Sequence, residues 1–300
     1  MGATCYANSA MQLLNAITEF RESIIESSST NPFLLGFKGI FKGLNSTAGV
    51  QRGHLEKLWT DIFFPMNEIR GVSDYFATTK QCDAFEFIQL CLHILKQDKE
   101  HRGQAIRCFQ FSLRSTIQAK DDPTNRKDSY YREPQEILDL PISKTPLGKE
   151  IDGEFMQALQ AFEGKEELTG DRRLTGTKGE KVDTIYYKQI VTPPQVFLMR
   201  IMRLNYNEEG KLIKIDRPMA IPQEFTLSSE MMVDSKPVKY KLTGGVTHSG
   251  TVNSGHYMAY ISGSNDFLEF NDSRVRQIGK KDALKALKVG AYVVAYRRED

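Results

Sequence analysis

The chain has 300 residues, 40% of them hydrophobic, which is enough to bury a full core in one large domain or two ordinary ones. Lysine and arginine number 40 against 38 acidic residues, a formal charge of +2, so no overall pull toward nucleic acid is implied and any partner must be read from local sites. There is no apolar run of about 18 residues, no basic-then-apolar secretory signal and no C-x-x-C pair among Cys5, Cys82, Cys91 and Cys108, which excludes a membrane-spanning helix, a disulfide framework and a zinc knuckle and points to a soluble, reduced, intracellular protein.

The first hundred residues read as helix. From Ala7 onward Met11, Leu14 and Ile17 recur at helical spacing, and Asp83 to Leu95 puts Ala84, Ile88, Cys91 and Leu95 on one stripe. Between them, Ser27 to Pro32 reads as a loop following a helix. The middle, Gln118 to Asp183, is polar and broken by Asp121-Asp122-Pro123, by Thr145-Pro146-Leu147-Gly148 and by two Leu-Thr-Gly segments, so loops and short strands are expected there, as an extension. Beyond it, Gln195 to Tyr206 suits a buried strand, and further strands are predicted over Lys239–Leu242, Gly255–Ile261, Phe267–Phe270 and Ala291–Arg297. The fold class is α+β: a helical lobe over the first hundred residues and a sheet in the C-terminal half.

Two places carry chemistry. Cys5 stands at the first turn of a helix, where unpaired backbone N–H groups and the helix dipole would lower a thiol's pKa and make it nucleophilic. Far along the chain, two alternating runs flank Ser262-Gly263-Ser264-Asn265 and make a β-hairpin. A turn centred between Gly263 and Ser264 sets His256 opposite Asn271, within reach of a side-chain amide. A cysteine, an imidazole to take its proton and a third group to orient the imidazole are the parts of a cysteine protease. His54, His93, His101 and His248 lack such a partner and read as surface or packing residues.

These residues carry a resemblance. Gly2-Ala3-Thr4-Cys5-Tyr6-Ala7-Asn8-Ser9-Ala10-Met11-Gln12 resembles the cysteine box of the ubiquitin-specific proteases. Gly244-Gly245-Val246, His248-Ser249-Gly250, Gly255-His256-Tyr257, Ala259-Tyr260 and Phe270-Asn271-Asp272-Ser273-Arg274-Val275 resemble their histidine box. Gln81-Cys82-Asp83-Ala84-Phe85-Glu86-Phe87 is similar to the Gln-x-Asp-Ala-x-Glu-Phe helix, and Thr192 to Leu198 with Arg203 to the strand before the histidine box.

The resemblance implies one papain-like catalytic domain over residues 1–300: a helical thumb (about 1–105), β-rich fingers (about 106–190) and a β-sheet palm (about 191–300). It implies cleavage after the C-terminal glycine of ubiquitin through a Cys5 thioester, with His256 as base, Asn271 orienting it and Asp272 sharing that role. Gln81, Asp83, Glu86, Ser254, Gly255 and Tyr257 would hold the ubiquitin tail. Asp83 and Glu86 share a helix face, which suits a basic peptide. Small residues beside the base admit only a Gly-Gly tail, and His248, Ser249 and Gly250 would form a loop bordering the cleft.

Three departures are visible. Relatives carry Asn-Leu before the cysteine box, the asparagine donating to the oxyanion; here Met1 takes the Leu position, leaving the Cys5 N–H as donor. Many relatives hold zinc in the fingers, but Thr175 and Lys178 occupy the corresponding ligand positions and neither binds zinc well. Asn271-Asp272 replaces Asp-Asp. The expectation is therefore a monomeric enzyme with no metal and no cofactor, acting on ubiquitin and ubiquitinated proteins in the cytoplasm, the nucleus or, for a secreted effector, a host cytosol. The rival readings are a catalytically weakened ubiquitin-binding module and a protease for another ubiquitin-like modifier.

Overall fold

The structure is a computed structural model and describes residues 4–46, 58–71, 75–76, 81–98, 103–143, 150–207, 209–233, 236–252 and 254–299. Gly2 and Ala3 of the first motif, His54, His101 and the Thr145-Pro146-Leu147-Gly148 turn lie outside these residues. The helices are α1 (Cys5–Ala16), α2 (Thr18–Glu26), α3 (Pro32–Leu44), α4 (Phe64–Arg70), α5 (Ala84–Gln97), α6 (Phe155–Gln160) and α7 (Lys280–Gly290). The strands are β1 (Ser112–Ala119), β2 (Arg126–Tyr130), β3 (Ile137–Pro141), β4 (Glu166–Leu168), β5 (Thr184–Thr192), β6 (Val196–Met202) and β7 (Leu204–Tyr206). They continue with β8 (Leu212–Lys214), β9 (Glu224–Leu227), β10 (Val238–Gly250), β11 (Gly255–Ser262), β12 (Phe267–Asn271), β13 (Arg274–Ile278) and β14 (Ala291–Arg298). Two compact units result, Met1–Cys108 with Thr243–Ala295, and Phe109–Leu242 with Tyr296–Asp300.

The first unit holds helices α1 to α5 and the hairpins. Local chemistry starts its helices, and the loop expected over Ser27–Pro32 ends at Asn31, since Pro32 is already helical. Asn31 caps α3 by accepting from the Phe33 N–H at 2.9 Å, with Pro32 in the first turn, and Asp83 caps α5 by accepting from the Glu86 N–H. The four residues of the expected α5 stripe, Ala84, Ile88, Cys91 and Leu95, are all buried. Tyr6 of α1 packs among Phe63, Phe76 and Phe87 with ring centroids 5.8 to 6.1 Å away. Each such ring contributes roughly 1.5–3 kcal/mol by leaving water, so the residue next to Cys5 is anchored in the core. Strands β10, β11, β12 and β13 follow one another as antiparallel neighbours.

In the second unit, β2-β1-β5-β4 form an antiparallel sheet and β3 pairs with β6 in parallel. Phe155, Phe197, Phe225, Tyr240 and Tyr296 make its aromatic core. Arg203 is buried and donates to the carbonyls of Ile215 and Arg217 at 3.1 and 2.8 Å, and burial pushes its guanidinium down to about 10.

The polar middle is more structured than expected. Besides short strands it contains α6 and the buried residues Phe155, Ala158, Leu159 and Phe162, a local core hidden in the sequence by its flanking glycines and charges. Strand β13 and helix α7 were likewise not anticipated. Where the resemblance implies zinc ligands in relatives, Thr175 bridges Lys181 around a turn in which Gly179 has φ 86°. Neither Thr175 nor Lys178 supplies a zinc donor, so these residues do not fit the metal, and among the described residues no group of three or more His, Cys, Asp or Glu is placed to hold one.

Candidate active site

Cys5 is the first residue of α1, and that helix packs along β11, the strand carrying His256. The first turn of α1 is locked by its own hydroxyl: Ser9 Oγ donates to the Cys5 carbonyl at 2.7 Å. One turn on, Asn8 Nδ2 donates to Asp272 Oδ1 at 2.8 Å, tying the helix to the turn between β12 and β13. Asp272 has φ 51°, a left-handed conformation that aspartate tolerates better than most residues, and this makes the two-residue turn from Asn271 to Arg274 possible. The sequence reading missed Asn8, which has no signal of its own beyond its place in the first motif.

His256 Nε2 lies 2.7 Å from Asn271 Oδ1. An amide oxygen only accepts, so Nε2 carries the proton and Nδ1 is left as the basic nitrogen. The expected register needs correction. Ala259 faces Phe270 and Ser262 faces Phe267, so the turn is centred one residue further along, with Gly263 N–H donating to the Asp266 carbonyl at 2.8 Å. His256 and Asn271 are therefore diagonal neighbours. The displacement is two residues on one strand, which keeps both side chains on the same face, and diagonal partners remain within reach of long side chains.

The expected lowering of the Cys5 pKa is overturned. The residue is buried, and desolvation, the largest influence, raises the thiol above its ordinary value. The N–H groups of Tyr257, Tyr6 and Cys5 itself pull it down, and the Asp272 charge pushes it up. Among the described residues no hydrogen bond joins Cys5 Sγ to the His256 ring; the sulfur's neighbour on β11 is the N–H of Tyr257, the next residue. A sign follows for Asp272. Asp272→Asn removes a charge that disfavours the thiolate while keeping a side chain suited to left-handed backbone, so the pH midpoint of Cys5 alkylation is expected to move to lower pH. A midpoint unchanged or moved upward would contradict it.

The six residues expected at the ubiquitin tail have internal partners here. Gln81 bonds the backbone of Gly255 through both ends of its amide. Asp83 accepts from the Glu86 N–H and from Tyr292 Oη, and Glu86 pairs with Arg70 and accepts from Tyr75 Oη. Arg70 also lies 4.3 Å from the centre of the Tyr75 ring. Tyr257 is buried, its ring 4.5 Å from that of His248, and burial raises its phenol well above the ordinary value. Ser254 is exposed, its carbonyl accepting from Thr251 N–H at 2.6 Å. The expected cleft loop at His248, Ser249 and Gly250 is instead the end of strand β10, paired with Tyr257, His256 and Gly255. His93 lies on exposed surface beside Gln97.

Comparison with known proteins gives the same family from three directions. The family model described as ubiquitin carboxyl-terminal hydrolase matches residues 1–296. Ubiquitin carboxyl-terminal hydrolase 26 of Arabidopsis thaliana is 26% identical over 95% of this chain, and ubiquitin carboxyl-terminal hydrolase 8 of Saccharomyces cerevisiae is 25% identical over 99% of it. The chain spans 26% of the length of the plant relative and 69% of the yeast one. Among solved structures, Ubp8 in the SAGA DUB module with Sgf11, Sus1 and Sgf73, bound to monoubiquitin, superposes with a TM-score of 0.81 at 25% identity, covering 100% of this chain and 68% of that one. The α+β fold expected from the motifs is therefore the fold of this chain.

Proposed function

We propose, from the premise that this chain belongs to the ubiquitin carboxyl-terminal hydrolase family, that it is a deubiquitinating cysteine protease in which Cys5, His256 and Asn271 cut the bond after the last glycine of ubiquitin. The observation that carries the reading is the His256–Asn271 hydrogen bond of 2.7 Å, on the strand packed by the helix that begins at Cys5. Asn271 fixes the tautomer, so Nδ1 can take the thiol proton. The thiolate adds to the glycine carbonyl carbon, the Cys5 N–H is the oxyanion donor, and imidazolium protonates the departing amine as the C–N bond breaks. Water, deprotonated by His256, then hydrolyses the thioester and restores the thiol. A raised thiol pKa and the absence of a Cys5–His256 hydrogen bond in the free protein suit a pair that tightens only when substrate arrives. Four free cysteines suit a reducing compartment.

Glu86 and Asp83 are the acidic groups for a basic tail, and this gives Arg70 a role. A substrate guanidinium at Glu86 must replace that of Arg70. Arg70→Ala is therefore expected to lower KM for ubiquitin substrates by about two- to fivefold, the range of a partly exposed pair. Its kcat, and its cleavage of a short Gly-Gly substrate lacking arginine, should not change. A raised KM would show that Arg70 holds Glu86 in place instead of competing for it.

A second reading, a ubiquitin-binding module without activity, is favoured by the same raised thiol and the same missing bond between Cys5 and His256. A ubiquitin derivative carrying a vinyl electrophile at its C-terminus separates the two. Labelling of the wild type at Cys5 supports the enzyme; retained ubiquitin binding with no labelling supports the module. Labelling by the equivalent probe of another ubiquitin-like protein in preference to ubiquitin would move the substrate class.

A further inference from the structure

Gln81 lies two residues before the cap of α5, and its side chain makes the pairing that a neighbouring strand would make. Oε1 accepts from the Gly255 N–H at 3.0 Å, and Nε2 donates to the Gly255 carbonyl. Gly255 opens β11 and immediately precedes His256. The ladder between β11 and β12 covers Ala259 to Ser262, so Gly255 lies beyond it, and the Gln81 amide takes up its backbone N–H and carbonyl.

Both ends of this link are held. On one side Cys82 Sγ donates to the Tyr75 carbonyl at 2.9 Å and the Asp83 carboxylate accepts from Tyr292 Oη, so the two residues that follow Gln81 are held. On the other side Gly255 is pressed onto β10: a Cβ there would stand 2.2 Å from His248 Nε2 and 2.3 Å from the Ser249 carbonyl oxygen. The amide therefore transmits the position of the α5 N-terminus to the peptide unit that orients His256. Both polar atoms of the Gln81 side chain are thus committed to the Gly255 peptide units.

We infer that Gln81 is a positioning residue, holding Gly255 so that His256 meets the Cys5 thiol, and is not a ligand of the ubiquitin tail. This rests on reading Cys5, His256 and Asn271 as the catalytic set. The role has a chemical signature. Gln81→Glu keeps an acceptor for the Gly255 N–H but sets a carboxylate oxygen against the Gly255 carbonyl, and protonating that carboxyl restores a donor.

The test uses the full chain, with Gln81→Ala and the isosteric Gln81→Glu. With a fluorogenic ubiquitin C-terminal amide, kcat of Gln81→Ala is expected to fall roughly 10²-fold, the cost of a small misplacement of a catalytic group, with KM within about twofold of wild type. The ratio of kcat for Gln81→Glu to wild type should rise as pH falls through the carboxyl's titration. A raised KM with unchanged kcat, or a flat ratio, overturns the inference in favour of substrate contact.

An activity-free measurement keeps the two readings apart. Amide exchange at Gly255 should be at least tenfold faster in Gln81→Ala, reflecting a lost protecting bond, and the His256 ring resonances should shift. Unchanged exchange defeats the Gln81 link whatever the rates show. Wild type that leaves ubiquitin amides uncut while Gly255 exchange responds defeats the functional reading alone. Should Gln81→Ala fail to fold, Gln81→Glu carries both measurements.

Discussion

Cys5→Ala is expected to lower kcat on a ubiquitin C-terminal amide by about 10⁶-fold, the scale on which removing a nucleophile collapses a triad that acts as a unit. The size follows from covalent chemistry: no other group at the start of α1 can form the thioester, and His256 alone would have to activate water directly. Ubiquitin binding should survive, because the change deletes one sulfur from a site that is already packed and alanine is the better helix former. The control is Cys91→Ala. Cys91 is wholly buried on α5, with its thiol held well above the ordinary value by desolvation, so it is inert to the reaction. Stopped assays with high enzyme concentration, ubiquitin affinity by calorimetry and Cys91→Ala in parallel check all three statements. Activity of Cys5→Ala within tenfold of wild type would remove the thioester mechanism.

Much of this site was legible in the sequence because it is built from local patterns. A stripe at helical spacing placed α5, and two alternating runs around Gly263 gave the hairpin that carries His256 and Asn271. The hairpin's register was misjudged by two residues because Gly263 suggested the turn's centre, whereas it closes a four-residue loop onto Asp266. The pairing of His256 with Asn271 survived that error because side chains alternate with period two. What stayed hidden depends on distant chain. Tyr292 reaches Asp83 across 209 residues, and Gln81 reaches Gly255 across 174, with no periodicity to announce either. The direction of the Cys5 pKa was hidden for a related reason: a helix terminus is a local feature, but the burial that outweighs it accompanies the packing of α1 against the distant strand β11.

The division of labour between Asn271 and Asp272 gives the second large effect. Asn271→Ala is expected to reduce kcat by about 10³–10⁴-fold, since losing the group that orients and tautomerises the imidazole in a serine protease costs about 10⁴. Asp272→Ala should cost far less, because its carboxylate accepts from Asn8 and does not reach the imidazole in the way Asn271 does. Its price is paid in backbone, since alanine fits a φ of 51° poorly, and it should show as a lowered thermal midpoint with a modest change in kcat. Nitrogen-15 spectra of the His256 ring provide the decisive readout: wild type should show Nε2 protonated at neutral pH, and Asn271→Ala a mixture of tautomers. If Asp272→Ala instead lost more activity and more tautomer order than Asn271→Ala, the carboxylate would be the orienting group. The Asn8–Asp272 bond would then have to open on substrate binding, making the tie between α1 and the β12–β13 turn a moving part of the enzyme.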